Sequence, residues 1–294
     1  MVAEVMDALK PGPGRVLVDA TVGDGGHAMA WLEAGGTVVG IDRDGAAIHR
    51  TSRRLSSWHD RVRLVHGCLS TLCDLAPGDP APDGVLMDLG TSRTQIEDPE
   101  RGFSYQSDGP LDMRMDRSAG VAVAALLRGV SVATLSGWLE TLGDVPHARR
   151  VARSILHCGP PETSAELIAA VEHVAPPRLR IKYLSCVFQA LRIVANDELN
   201  ELRQGLLASI DLLRPGGRIA VLTYHSGEER AVRAIFRREQ GQCVCPPGLP
   251  VCSCTPRTRI RAIEKGRRPA TAEVAANPRA RSARLWVSER TDVQ

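Results

Sequence analysis

The feature that most constrains the fold is the alternation of short β-branched runs with helix-length amphipathic segments in both the first and the last third of the chain. This alternation is typical of an open, mostly parallel sheet covered by helices on both faces. We therefore predict an α/β fold. The predicted strands are Val16–Ala20, Val38–Asp42, Arg61–His66, Gly84–Asp88, Arg218–Tyr224, Arg257–Ile263 and Ala283–Ser288.

The alternation stops in the middle of the chain. Residues 117–200 are rich in Ala, Leu, Arg and Val at helical spacing and contain no predicted strand. We interpret them as an inserted all-helical domain with a role in substrate recognition. Residues 1–116 and 201–294 would then be the two parts of the sheet domain.

A glycine-rich loop follows the first predicted strand. Asp19 ends the strand, and residues 23–28 (GDGGHA) lead into a helix. Glycines at such a turn let a ligand approach the backbone and the helix N-terminus. Asp42 ends the second strand, where a carboxylate can hold a ribose. These features alone fit NAD as well as S-adenosylmethionine.

Three features favour the methyl donor over NAD. Asp19 precedes the glycines, so its carboxylate can face the amino-acid end of the cofactor, which NAD lacks. Asp88 ends the fourth strand at the same sheet edge, where such folds bind ligands. The fifth strand follows a Pro-Gly-Gly turn at 215–217 and precedes a predicted terminal strand pair. A dinucleotide-dependent oxidoreductase, or solvated acids at strand ends, are the alternatives.

Longer motifs make the interpretation more specific. Residues 83–116 read DGVLMDLGTSRTQIEDPERGFSYQSDGPLDMRMD, and shorter blocks are FQALRIVANDEL at 188–199, YHS at 224–226 and NPRARSA at 277–283. Together they resemble the bacterial 16S rRNA cytosine-N4 methyltransferase family of the MraW type, from near residue 1 to about residue 290. The resemblance implies a class I (Rossmann-like) methyltransferase sheet with an inserted all-helical domain.

The resemblance also implies a cofactor, a substrate and a set of contacts. The cofactor would be S-adenosylmethionine, and the acceptor N4 of a cytidine in the decoding region of 16S rRNA within the small ribosomal subunit. Leu69 stands where the family usually has an aromatic residue, and Tyr224 where it usually has Phe. The residues implied to contact the cofactor are Gly25, Gly26, His27, Asp42, Leu69, Asp88 and Gln95.

Candidate catalytic residues follow from the chemistry of an exocyclic amine, which is a poor nucleophile and must lose a proton. Asp112 lies in Leu111–Asp116, where period-two alternation predicts an extended segment. It is a candidate for catalysis or base binding, or else for an ion pair with Arg114. His225 follows the fifth strand and is a candidate proton acceptor, or else a structural histidine. Asn196 indicates either substrate contact or a solvated helix face.

Charge and composition bear on the partners. The net charge is +3, and residues 255–294 hold ten Arg or Lys against four Asp or Glu. Because Arg pairs with phosphate, the insertion and this tail are candidate RNA surfaces, although surface charge is the alternative. The residues considered are Arg178, Arg180, Lys182, Arg279, Arg281 and Arg284.

Cysteine usage and hydropathy bear on compartment and metal. The chain has eight cysteines but no secretory pattern and no apolar run of about 20 residues, so we predict a cytoplasmic protein with no membrane contact. Cys243, Cys245, Cys252 and Cys254 leave open whether the protein binds a structural zinc ion, and we predict no metal at the reaction centre.

Two alternative functions stay open from the sequence. One is methylation of another RNA or a small molecule, and the other is a catalytically silent ribosome-assembly factor.

Overall fold

A computed structural model describes residues 1–76, 79–157, 159–243, 245 and 257–292. The chain forms two compact units. Unit 1 comprises Met1–Gly90 and Leu199–Gln294, and unit 2 comprises Thr91–Glu198. Cys252 and Cys254 lie outside the described residues, and with them the question of a zinc site.

The secondary structure is α/β, as predicted from the sequence. The strands are β1 Val16–Asp19, β2 Thr37–Asp42, β3 Val62–His66, β4 Gly84–Asp88, β5 Arg218–Thr223, β6 Ile260–Arg267 and β7 Arg284–Arg290. The helices, apart from short 3-10 turns, are α1 Val2–Leu9, α2 Gly26–Glu33, α3 Gly45–Arg54, α4 Leu72–Leu75, α5 Arg93–Glu97, α6 Val123–Arg128, α7 Val132–Gly143, α8 Ala148–His157, α9 Ser164–Glu172, α10 Arg180–Ala195, α11 Glu198–Leu212, α12 Ser226–Glu239 and α13 Thr271–Ala276.

Unit 1 is built around one sheet of strand order β3-β2-β1-β4-β5-β7-β6. The first five strands in this order pair in parallel, and β7 pairs antiparallel with both β5 and β6. The order reverses between β1 and β4. Ligands of open α/β sheets bind outside the carboxyl ends of the strands at such a switch point. The prediction of a Rossmann-like sheet closed by a terminal antiparallel pair is confirmed.

The central strands read as continuous apolar runs because helices cover both faces of the sheet. Alternate residues pack into two separate cores. On one face Val18 and Val85 pack with α11 and α12, and on the other Leu17 and Leu86 pack with α1 and α2. The edge strand β6 instead alternates buried or half-buried with exposed residues, many of them charged, which protects the edge from further strand pairing.

Unit 2 is helical, and its described residues contain no strand, only an isolated bridge between Pro110 and Thr163. Its boundary differs from the one we predicted at 116/117, since residues 91–116 belong to this unit. The reason is burial: Leu111, Met113 and Met115 enter the same apolar core as helices α6 to α10. None of the helices described in either unit is long and apolar enough to span a bilayer.

Candidate functional site

The carboxyl ends of β1 and β4 form the switch point of unit 1. The loop after β1 is tied to both neighbouring strands by its backbone: Ala20 N donates to Leu86 O at 2.9 Å, and Val22 N donates to Ile41 O at 2.8 Å. The hydroxyl of Thr21 accepts a hydrogen bond from the backbone N–H of Asp88 at 2.7 Å. The loop therefore holds the ends of three strands, β1, β2 and β4, in register.

Asp42 anchors the glycine-rich loop from the end of β2. One carboxylate oxygen accepts the N–H of Gly23 at 2.8 Å, and the other accepts that of Asp44 at 2.8 Å. Burial raises the pKa of Asp42 above its ordinary value, although these two hydrogen bonds oppose the shift. Each oxygen keeps a further lone pair for a hydroxyl donor.

Gly25 and Gly26 have different roles in the loop. Gly25 has φ 77° and precedes α2, and a Cβ there would lie 3.0 Å from Thr51 Cγ2, so the backbone itself requires glycine. Gly26 has no such requirement, because a Cβ there would meet no atom of the described residues within 4 Å. The open space at Gly26 lies directly against the start of α2.

Asp19 is the most strongly perturbed acid at this edge. Among the described residues its side chain accepts only a long hydrogen bond, from Thr21 N at 3.4 Å, and the residue is 1% exposed. Burial, with the nearby charges of Asp88 and Asp42 adding to it, raises the pKa of Asp19 to about 8. At neutral pH the Asp19 carboxyl group is therefore mainly protonated in the free protein.

His27 and Tyr224 flank Asp88. Tyr224 donates its phenolic hydrogen to one oxygen of Asp88 at 2.7 Å, and His27 Nδ1 lies 3.8 Å from the other. Burial lowers the pKa of His27, and its Nε2 is buried with no hydrogen-bond partner among the described residues. Sequence reasoning missed the Tyr224 contact. The available signal was that Tyr224 follows β5, which is adjacent to β4.

His225 caps the N-terminus of α12. Its Nδ1 accepts the backbone N–H groups of Gly227 at 3.2 Å and Glu228 at 3.4 Å, while a Glu228 oxygen accepts the backbone N–H of His225 at 3.2 Å. This capping box gives His225 a structural role. Its Nε2 lies 3.2 Å from the Glu228 carboxylate. The assignment of His225 as a proton acceptor stays a prediction.

Leu69 begins the short 3-10 turn that follows β3, at the same edge of the sheet. The turn is fixed by Glu201, whose carboxylate accepts both the N–H and the hydroxyl of Ser70 at 2.9 Å. Gly205 of α11 allows a close approach, because a Cβ there would lie 2.7 Å from Leu69 Cβ. Leu69 is thus held in a defined place and is half-buried.

Gln95 lies in unit 2 and is 5% exposed. It forms a capping box with Ser92 at the start of α5: its side-chain oxygen accepts Ser92 N at 3.0 Å, and its own N–H donates to the Ser92 hydroxyl at 3.2 Å. The structure therefore gives Gln95 a local structural role. Its contact with the cofactor stays a prediction.

Asp112 also lies in unit 2, where it is 7% exposed and forms a two-pronged ion pair with Arg114, at 2.7 and 3.1 Å. Arg117 lies 3.6 Å from the same carboxylate. Burial alone would raise the pKa of Asp112, but hydrogen bonds from Arg114 and the charges of both arginines outweigh it and lower the pKa. Asp112 is therefore a weak base that stays ionised.

The segment around Asp112 departs from the predicted extended conformation. Met113 has φ 58°, a left-handed conformation that interrupts the strand-like alternation. Asn196, 2% exposed, holds this bend: its side chain accepts Met115 N and donates to Met113 O, each at 2.7 Å. Asn196 is thus not on a solvated helix face, and its visible role is structural.

The chain is similar in sequence to a known family along nearly its whole length. The model of the MraW methylase family matches residues 1–291. A protein of Syntrophotalea carbinolica is 45% identical over 297 residues, covering 97% of this chain and 95% of its own. One of Rubrobacter xylanophilus is 44% identical over 306 residues, covering 99% and 95%. Both are named "Ribosomal RNA small subunit methyltransferase H".

Solved structures are more distant. A crystal structure described as a putative rRNA-methylase from Clostridium thermocellum has 14% identity and a TM-score of 0.47, and the match covers 100% of this chain and 97% of that one. So remote a likeness bears on neither the fold nor the chemistry of this chain.

Proposed function

This chain belongs to the MraW methylase family, and from that membership we propose that it transfers a methyl group from S-adenosylmethionine to N4 of a cytidine in the decoding region of 16S rRNA. The family predicted from residues 83–116 and the shorter motifs is thereby confirmed. The name shared by its relatives supports the small-subunit rRNA as substrate. The proposed partner is the small ribosomal subunit, and the proposed place of action is the cytoplasm.

The observation that carries the proposed cofactor is the grouping of acids beside the glycine-rich loop. Asp19, Asp42 and Asp88 end three adjacent strands of unit 1. The methionine end of S-adenosylmethionine carries a sulfonium and an ammonium group, which such acids attract. The pyrophosphate of NAD is anionic, and carboxylates beside the start of α2 would repel it. The acid grouping therefore favours the methyl donor.

The residues present also fit the cofactor in detail. The remaining lone pairs of Asp42 suit ribose hydroxyls, and Leu69 supplies an apolar contact for adenine. The buried Nε2 of His27 has no partner among the described residues, and the space at Gly26 is open. We propose that Gly25, Gly26, His27, Asp42, Leu69 and Asp88 of unit 1 hold S-adenosylmethionine. The contact of Gln95 with the cofactor stays a prediction from the family resemblance.

Bound S-adenosylmethionine supplies a methyl group that is already electrophilic, so the protein's main task is positioning. Tyr224 fixes one oxygen of Asp88, which orients the carboxylate at the end of β4. Asp112, ionised and weakly basic, is suited to accept a hydrogen bond from the cytosine amine rather than its proton. His225 stays the candidate proton acceptor; because its Nδ1 accepts the cap's N–H groups, the neutral ring carries its hydrogen on Nε2, and a proton taken up at Nδ1 would displace the cap of α12.

The proposal is tested by nucleoside mass spectrometry of 16S rRNA from a strain lacking this gene. We expect N4-methylcytidine to be lost and to return on complementation with the wild-type chain. Asp88→Ala should fail to restore it. Asp60→Ala should restore it, because Asp60 is an acid of unit 1 whose side chain is 84% exposed and which precedes the amino end of β3, not the carboxyl ends of the strands.

Two results would count against the proposal. N4-methylcytidine that persists unchanged in the deletion strain would mean that another enzyme makes it. Full methylation by Asp88→Ala would remove Asp88 from the site. A silent assembly factor predicts a different pattern, in which the deletion impairs subunit assembly, Asp88→Ala restores it, and methylation is unchanged throughout.

A further inference from the structure

Helix α8 of unit 2 has one apolar and one strongly basic face. Ala148, Val151, Ala152 and Ile155 are buried against neighbouring helices, and Ser154 donates a hydrogen bond to Ala170 O of α9 at 2.7 Å. The opposite side of the helix consists of Arg149, Arg150 and Arg153, all exposed. We call these three residues the α8 arginine face.

The guanidinium groups of the α8 arginine face are not paired with acids in the described part of the chain. Within the described residues, no carboxylate forms an ion pair with any of its three guanidinium groups, and α8 itself contains no Asp or Glu. Most other arginines of unit 2 are paired with acids. These pairs are Arg93–Glu97, Arg114–Asp112, Arg117–Asp112, Arg128–Glu162, Arg180–Glu172 and Arg192–Glu198.

This arrangement does not help the fold. Arg149 and Arg153 are four residues apart and Arg150 and Arg153 three apart, so they are neighbours on the helix surface, where like charges destabilise a helix. Arg149 and Arg153 are about 6 Å apart along the axis and Arg150 is about 100° around the axis from Arg149, so the three cations form a compact cluster on one side of the helix. A cluster of guanidinium groups matches a polyanion, because each can pair two-pronged with a phosphate.

We propose that the α8 arginine face binds the sugar-phosphate backbone of the rRNA substrate. This inference rests on the proposed function, since it takes small-subunit rRNA as the substrate. Contacts to phosphate fix position and affinity without reading the base sequence. The face should therefore strengthen substrate binding while leaving cofactor binding and the methyl-transfer step unchanged.

The test compares two triple variants with equal loss of charge. Arg149→Ala/Arg150→Ala/Arg153→Ala removes the face, and Arg53→Ala/Arg203→Ala/Arg233→Ala removes three exposed arginines of unit 1. Alanine favours a helix at least as well as arginine and relieves the repulsion, so the first variant should fold. Binding to protein-free 16S rRNA is measured against salt concentration, with kcat and KM for rRNA methylation and Kd for S-adenosylmethionine.

We expect the α8 variant to flatten the slope of log Kd against log salt by about 2, the value for three phosphate contacts to single-stranded RNA. Its KM for rRNA should rise at least tenfold, with kcat and the cofactor Kd within twofold of wild type. The unit 1 variant should keep the wild-type slope. Arg149→Lys/Arg150→Lys/Arg153→Lys should keep most of the slope, because the point charges remain.

The inference is overturned if the α8 variant and the unit 1 variant show the same slope and KM. It is also overturned if the α8 variant binds protein-free rRNA normally but assembled subunits weakly, which would indicate an acidic protein as the partner. Failure of the proposed function is distinguishable, because the wild-type chain itself would then not methylate rRNA.

Discussion

Single residues at the strand ends set the charge of the proposed cofactor site. Asp19 is almost completely buried and has a pKa raised to about 8, whereas the Asp88 side chain is 30% exposed and held by Tyr224. Burial is thus the main cause of the raised pKa of Asp19. The site becomes more negative as pH rises through the pKa of Asp19.

The raised pKa of Asp19 predicts a pH dependence of cofactor binding. If the ammonium group of S-adenosylmethionine pairs with ionised Asp19, binding below pH 8 must release the Asp19 proton. Affinity should then rise about tenfold per pH unit between about pH 6 and 7.5, a range in which the cofactor's own amino group stays mainly protonated. Titration calorimetry across this range measures the slope.

Asp19→Asn is the matched control for this prediction, because it keeps the shape of the side chain but cannot ionise. Its affinity should be lower than that of the wild type at pH 7.5 and nearly independent of pH. An equal slope in both proteins would show that another group releases the proton.

At the residue scale the sequence predicts acids better than it predicts their partners. Asp19, Asp42 and Asp88 were recognisable because each ends a β-branched run, a local pattern. The hydrogen bond from Tyr224 to Asp88 joins residues 136 apart in the chain and depends on β4 and β5 being neighbours. The capping role of Gln95 follows the Ser-x-x-Gln pattern at residues 92–95, which the sequence displays. That of His225 depends on local geometry, because His is not a usual N-cap residue.

At the scale of elements, the segment from Leu111 to Asp116 shows where periodicity misleads. Its alternating apolar residues are buried, as expected, but in the core of unit 2 and around a left-handed Met113 rather than along an extended strand. A buried residue in this conformation persists only where its surroundings hold it. Asn196 supplies that restraint from the end of α10.

Asn196→Ala should therefore destabilise unit 2. The change leaves the N–H of Met115 and the carbonyl of Met113 buried without their partner, at a cost of about 2–4 kcal/mol in the free energy of unfolding. Urea denaturation followed by circular dichroism measures the loss.

Thr141→Ala is the control for Asn196→Ala, because it removes one hydrogen bond to Gly137 O at an exposed position of α7. We expect it to change the free energy of unfolding by less than about 0.5 kcal/mol. An equally small effect of Asn196→Ala would contradict the structural role assigned to Asn196.

The strands of the sheet were predictable because each is a short apolar run bounded by turn residues, and all seven lie within a few residues of the prediction. The boundary of unit 2 was not predictable from the sequence, because residues 91–116 contain no long helix and join that unit through long-range burial. A pattern read along the chain does not reveal which core a loop will enter.

At the scale of the whole molecule, two distant parts of the chain complete one sheet. Residues before Gly90 supply β1 to β4, and residues after Leu199 supply β5 to β7. The parallel order with its switch point between β1 and β4 creates the ligand edge, and the glycine-rich loop supplies the close approach. The central claim is that this edge of unit 1 binds S-adenosylmethionine.

Titration calorimetry of the full chain with S-adenosylmethionine and NAD, in wild-type, Gly26→Ala and Gly137→Ala forms, tests that claim most directly. A Cβ at either glycine meets no described atom within 4 Å, so neither change should disturb the fold. We predict that the wild type and Gly137→Ala bind S-adenosylmethionine but not NAD, and that Gly26→Ala weakens this binding at least about tenfold, or 1.4 kcal/mol. Binding of NAD, or wild-type affinity in Gly26→Ala, would contradict the account.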